Sequence, residues 1–226
     1  MNSTTSFLPS RIVSLCIVGL FILSAACTQP STMDAMAPVS KVEHPEWSKN
    51  ATIYEVNVRQ YTPEGTFNAF SEHLPRLKEM GVDILWFMPI HPIGKINRKE
   101  TERSMGSYYS VQDYKAVSSD YGTEEDFRRM VEQAHGLGMK VILDWVPNHT
   151  AWDNRWTENK DWYVLNEEGD FIPPLGTDWT DVIQLDYTND EMRAAMIDAM
   201  KYWVAEFGVD GYRCDVAGKV PTDFWV

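Results

Sequence analysis

Three times along the chain a stretch of helical period runs into a glycine and then into a short β-branched and aromatic run; the glycines are Gly81, Gly138 and Gly208. Before Gly138, the residues Phe127, Met130, Val131, Ala134 and Leu137 recur on one helix face, and Thr123 with Asp126 forms a capping signal at its start. Before Gly208, Asn189 caps a pattern that puts Met192, Met196, Met200, Trp203 and Phe207 on one side. Before Gly81, Phe70, Leu74 and Leu77 share a face, but Pro75 interrupts it. An interior proline costs a helix about 3 kcal/mol, so this helix is expected to kink or restart there. Each glycine suits the left-handed residue that closes a helix.

The runs that follow are DILWFMP at 83–89, KVILDWV at 140–146 and DGYRCDV at 210–216, with IYEVNV at 53–58 ahead of the first helix. Nearly continuous apolar strands alternating with helices predict a parallel sheet covered by helices, in the α/β class. Doubly wound sheets and (β/α)8 TIM barrels share that grammar. The barrel is favoured because no Gly-rich dinucleotide loop follows the first strand and polar residues gather at the C-terminal ends of the third and fourth. After the third strand the rhythm breaks, with Trp152, Trp156, Trp162, Trp179 and many acids in no clear period, which predicts a small insert at about 151–185. Four strands cannot close an eight-stranded barrel, so about the first four β/α units are expected. The terminal PTDFWV reads as the opening turn of the fourth helix, with Pro221 near its first position.

The N-terminus follows another pattern. Arg11 precedes an apolar run from 12 to 26 that ends in Ser24, Ala25, Ala26 and Cys27. The run is shorter than the roughly 20 residues of a membrane span and predicts an export signal over 1–26. Small residues before a cysteine resemble a bacterial lipoprotein signal, with Cys27 as the acylated first residue; simple cleavage after Ala26 is the alternative. The Pro- and Ser-bearing stretch 27–46 reads as a tether, and the folded part, 47–226, begins near Trp47. Only Cys214 remains in that part, so no internal disulfide is expected. The expected location is the periplasm or outer membrane, with secretion as the alternative and the lipid anchor as the sole membrane contact. A formal charge of −13 disfavours nucleic acid and anionic membrane surfaces and leaves a neutral polyol acceptable. Nine Trp and ten Tyr suit stacking on sugars as well as core packing.

Candidate chemistry sits on the third and fourth strands. Alternation places Arg213 and Asp215 on one face and Tyr212 and Cys214 on the other. Such a pair either fixes the strand as an ion pair or serves catalysis, since an adjacent Arg favours the ionised carboxylate a nucleophile requires. Asp144, inside the apolar VILDWV, demands a partner, and Arg213 on the neighbouring strand is the natural one. Asn148 and His149 follow Pro147 at the mouth, where His149 is either a capped loop histidine or a donor to a substrate hydroxyl.

DWVPNHT at 144–150, followed about sixty residues later by GYRCDV, resembles the first two signature regions of the α-amylase family of glycoside hydrolases, and GSYYSVQDY at 106–114 is similar to that family's loop after strand two. The resemblance implies a (β/α)8 barrel with a small domain after strand three, and retaining hydrolysis of α-glucosidic bonds in starch-type glucans. It implies Asp215 as nucleophile and Arg213 as its charge partner. It further implies Tyr109 stacked on the sugar at the cleavage point with Tyr114 as its mate, His149 as a sugar contact and Asp144 as a support. The general acid would be a Glu after strand five, outside this chain, so the chain alone is expected to be inactive. Cyclomaltodextrinase, neopullulanase or transglycosylase activity is an alternative of the same family, and a non-catalytic glycan-binding barrel one of another class. Structural calcium is a further implication. Gln184 in VIQLD and the Gly218-Lys219 pair depart from the usual ligands, whereas Asn148 remains a candidate. The insert's acids, such as Asp153 and Asp161, read as a solvated face.

Overall fold

The computed structural model describes residues 43–99 and 104–226, so the expected signal, Cys27 and nearly all of the tether lie outside the described residues. In chain order the main elements are β1 (Ile53–Val56), α1 (Val58–Tyr61), α2 (Phe67–Ser71), α3 (Leu74–Glu79), β2 (Ile84–Phe87), α4 (Glu124–Gly136), β3 (Lys140–Trp145), β4 (His149–Ala151), β5 (Val182–Gln184), α5 (Asp190–Phe207) and β6 (Gly211–Cys214). The strands β1, β2, β3 and β6 form one parallel sheet in that order. A doubly wound sheet reverses direction at a switch point. Here spatial order follows chain order, which is the winding of a (β/α)8 barrel, of which this is a four-unit arc.

The helices form where the pattern places them, and the differences have local causes. Pro75 sits in the first turn of α3, where a missing N–H costs no bond, and α2 has ended before it. Thr123 Oγ accepts from Asp126 N at 3.1 Å and the Asp126 carboxylate accepts from Thr123 N at 2.8 Å, closing the capping box of α4. Leu137, expected on the buried face, falls past the last turn and is exposed. Gly208 closes α5 with φ 69°. The first strand stops at Val56 rather than Val58, because Val58 already opens α1 and is buried. The final residues make only a 3-10 turn, Thr222–Phe224, with Pro221 before it.

Helix faces and sheet close on one core that includes Phe67, Phe87, Phe127, Trp145, Met196 and Trp203. At the N-terminal edge of the sheet two aspartates repeat one device. Asp83 accepts the N–H of Thr52 at 3.1 Å and Asp210 that of Val141 at 2.9 Å, each pinning its neighbour's register from just ahead of its own strand.

The insert is more ordered than its sequence suggests. The strands β4 and β5 pair antiparallel, with His149 opposite Gln184, so His149 lies in a strand and not in a loop. Buried bonds tie it to the barrel: Tyr187 Oη donates to Pro147 O at 2.7 Å, Asn154 Nδ2 to Val111 O at 2.9 Å and Ser110 Oγ to Asp181 O at 3.0 Å. Asp153 is no solvated acid. It is half-buried, and Oδ2 accepts from Lys95 N and Gln112 Nε2, both at 2.9 Å. Asp161 is exposed, as expected.

Candidate active site

The site stands where the ladder of the parallel sheet ends. Asp144 and Arg213 are register partners across β3 and β6. Arg213 Nη1 reaches Asp144 Oδ1 at 3.0 Å, Asp144 Oδ2 at 3.1 Å and Asp215 Oδ1 at 2.8 Å. One guanidinium thus braces two carboxylates. Their surroundings differ: the Asp144 side chain is 0% exposed and that of Asp215 is 18% exposed. Asp144 is therefore closed to a ligand and Asp215 is reachable. Burial raises the Asp144 carboxyl to about 6, against the pull of Arg213.

Two features bring the Asp215 carboxylate into the open. Its N–H still bonds Trp145 O at 2.7 Å, which holds its backbone to β3. The next residue, Val216, then turns into the left-handed region at φ 41°, which costs a β-branched side chain on the order of 1–3 kcal/mol. The backbone is strained right beside the reachable carboxylate.

Around Asp215 opens a cavity of about 610 Å³ whose walls include Tyr109, His149, Trp179 and Asp181. Tyr109 Oη donates to Asp144 Oδ2 at 3.4 Å, and burial with the nearby Asp144 and Asp215 charges pushes the phenol up to about 12, so it is neutral at physiological pH. Burial lowers His149 to about 4 in spite of Asp215 and Asp181, leaving a neutral imidazole. Asn148 Nδ2 lies 3.1 Å from His149 Nδ1; the amide donates, so Nδ1 accepts and Nε2 carries the proton. Of the residues expected at the site, Asp215, Tyr109 and His149 line the cavity, with Arg213 and Asp144 beneath. Tyr114 does not: it is buried, and its hydroxyl faces the carbonyls of Val146 at 2.6 Å and His149 at 2.9 Å, fixing the loop.

Sequence reasoning missed Trp86, Trp179 and Val216. Trp86 Nε1 donates to Asp144 Oδ2 at 3.1 Å, and its ring centroid lies 4.9 Å from Arg213 Cζ, completing the brace by a cation–π contact. The indole N–H in an otherwise apolar second strand, ILWF, was the available signal. Gln184 Oε1 accepts from Leu175 N at 2.9 Å and Lys219 Nζ donates to Leu175 O at 3.4 Å. Among the described residues no group of three or more His, Cys, Asp or Glu is placed to hold a metal. A spent amide oxygen and an ammonium make a donor set that does not fit a hard cation wanting six or more oxygens.

Fold and site together define a β/α-barrel protein with a carboxylate-centred pocket at the C-terminal face of its strands, where barrel enzymes place their chemistry. The family model of the alpha-amylase catalytic domain matches residues 31–177 and 160–224, and the chain belongs to that family. Over 78% of its length it superposes on 40% of an alpha-amylase from Lactobacillus plantarum, with a TM-score of 0.73 and 46% identity. A noncanonic maltogenic alpha-amylase from Thermotoga neapolitana gives a TM-score of 0.72 at 43% identity, over 79% of this chain and 42% of that one. Alpha-amylase MalA of Haloarcula japonica is 30% identical over 193 residues, 80% of this chain and 27% of that protein. The chain thus spans well under half the length of each of these relatives.

Proposed function

We propose that the protein cleaves α-glucosidic bonds of starch-type glucans by a retaining mechanism with Asp215 as nucleophile. The observation that carries this reading is the asymmetry of the two carboxylates on Arg213: one sealed, one open to a cavity walled by a neutral phenol and a neutral imidazole. Asp215 attacks the anomeric carbon, an ester bond forms as the glucosidic C–O bond breaks, and the leaving oxygen takes a proton from a carboxylic acid. Water then attacks the ester, gives its proton to that acid's conjugate base, and restores Asp215. Arg213 holds the Asp215 carboxylate in place through the 2.8 Å contact from Nη1. His149 contacts a sugar hydroxyl and Tyr109 stacks on the ring. The retaining scheme needs the acid about 5–5.5 Å from the nucleophile. We assign it to a part of the protein outside this chain, since Asp181, the other described carboxylate on the cavity wall, faces Lys99 at 3.6 Å.

The test is a mechanism-based trap on the full-length protein, with 5-fluoro-α-glucosyl fluoride as probe. Mass spectrometry is expected to find the glucosyl label on the peptide holding Asp215, and D215N to abolish both label and starch hydrolysis. Hydrolysis that survives in D215N would overturn the assignment.

A further inference from the structure

We infer that Trp179 is a second sugar platform, stacking on the glucosyl unit next to the one held over Tyr109, so that the site selects oligomeric glucans over single glucosides. The inference rests on the proposed α-glucan reading and names a residue of the same cavity.

Four tryptophans stand in the insert, and three of them, Trp152, Trp156 and Trp162, pack against the hydrophobic core. Trp179 does not. It is half-buried in the cavity wall shared with Asp215, Tyr109 and His149. Its ring meets His149 edge-on, with centroids 5.4 Å apart, and Lys219 Nζ lies 5.9 Å from its centroid. Elsewhere in the described residues, the indole N–H groups of Trp86, Trp145, Trp152, Trp203 and Trp225 all donate to protein acceptors. Those of Trp47, Trp156, Trp162 and Trp179 make no such bond, and of these four rings only Trp179 lines the cavity. A flat apolar face with a spare donor at its edge suits a pyranose, whose ring hydrogens pack on the face while a hydroxyl accepts from the edge.

The backbone under the ring is pinned on both sides. Lys99 Nζ donates to Asp178 O at 3.0 Å and pairs with Asp181 at 3.6 Å. Trp152 Nε1 donates to Thr180 O at 3.0 Å, and Ser110 Oγ to Asp181 O at 3.0 Å. Residues 178, 180 and 181 are thus fixed by bonds from the loop after β2 and from the insert. A platform held in place before the ligand arrives loses little entropy on binding.

The experiment is calorimetric titration of the full-length protein in a D215N background, which binds without turnover. Maltotriose and methyl α-glucoside are the ligands. W179A is expected to weaken maltotriose binding about tenfold, W179F to lose about threefold or less, and methyl α-glucoside binding to stay within about twofold in both. The melting temperature of W179A should stay within about 3 °C of the parent, because the ring lies outside the core. Unchanged maltotriose binding, an equal loss for both ligands, or a large drop in melting temperature would each overturn the inference. A parent that binds no α-glucan would instead sink the functional reading on which it rests.

Discussion

Asp144 and Arg213 face each other in direct register across two parallel strands, with Arg213 Nη1 3.0 Å from Asp144 Oδ1. Removing one partner of a buried pair costs about 3–5 kcal/mol. In D144A the guanidinium keeps Asp215 as a partner and some solvent, so the expected loss is smaller, about 1–3 kcal/mol. Activity should fall by about two orders of magnitude as Asp215 loses its fixed position, in line with a misplaced catalytic group. Denaturant unfolding and kcat/KM of D144A and R213M check this. A variant that is destabilised but retains full activity would separate the brace from the chemistry.

Three buried groups titrate in the acid range with opposite signs. Burial holds His91 and His149 at about 4, below the ordinary 6.5, so the unfolded chain takes up their protons first. Their contribution is present above about 6.5 and lost as pH falls towards 4, by up to about 3 kcal/mol for each. Asp144 is raised to about 6, so its contribution is greatest below 3.8 and lost as pH rises through 6. Melting curves from pH 7 to pH 4 should therefore fall less steeply for H91Q than for the parent, and more steeply for D144N. Parallel curves for H91Q and parent would mean that His91 is protonated in the fold.

Gly94 joins the loop after β2 to the insert without room for a side chain. A Cβ there would lie 2.3 Å from Ala151 Cβ and 2.7 Å from Asp153 Oδ1. Overpacking of this kind costs about 1–3 kcal/mol, so G94A should lower the free energy of unfolding by that amount in denaturant titration. It should also disturb Asp153, whose Oδ1 is buried with no hydrogen-bond partner.

We expect the insert to need no calcium. With Gln184 and Lys219 both engaged at Leu175, EDTA dialysis should leave the melting temperature unchanged and added calcium should not raise it. A stabilisation of several degrees that saturates with calcium would show that the ion binds elsewhere in the fold.

Cys27 is the proposed lipid attachment point, following small residues at the end of the apolar leader. Radiolabelled palmitate should enter the exported protein and be lost in C27A.

The helix faces, the strands and the motif residues were legible in the sequence, because each depends on local period: 3.6 residues for a helix, two for a strand. That Arg213 and Asp215 share a side follows from that period alone. The insert was not legible. Its strands are three residues long, and the inner one is buried on both faces, so no alternation marks it. Asp153 and Asp161 are the same residue type in the same acidic stretch, yet one is caught at the junction with the β2 loop and the other is exposed.

By itself the sequence determined which residue types stand at the mouth of a parallel sheet, and in which order. Tertiary structure decided which of two carboxylates on one arginine is sealed and which is open, and which of four tryptophans faces a cavity. Burial is a property of neighbours brought from 20 to 70 positions away, such as Trp86 on Asp144 and Trp152 beneath residue 180, and no local pattern carries it.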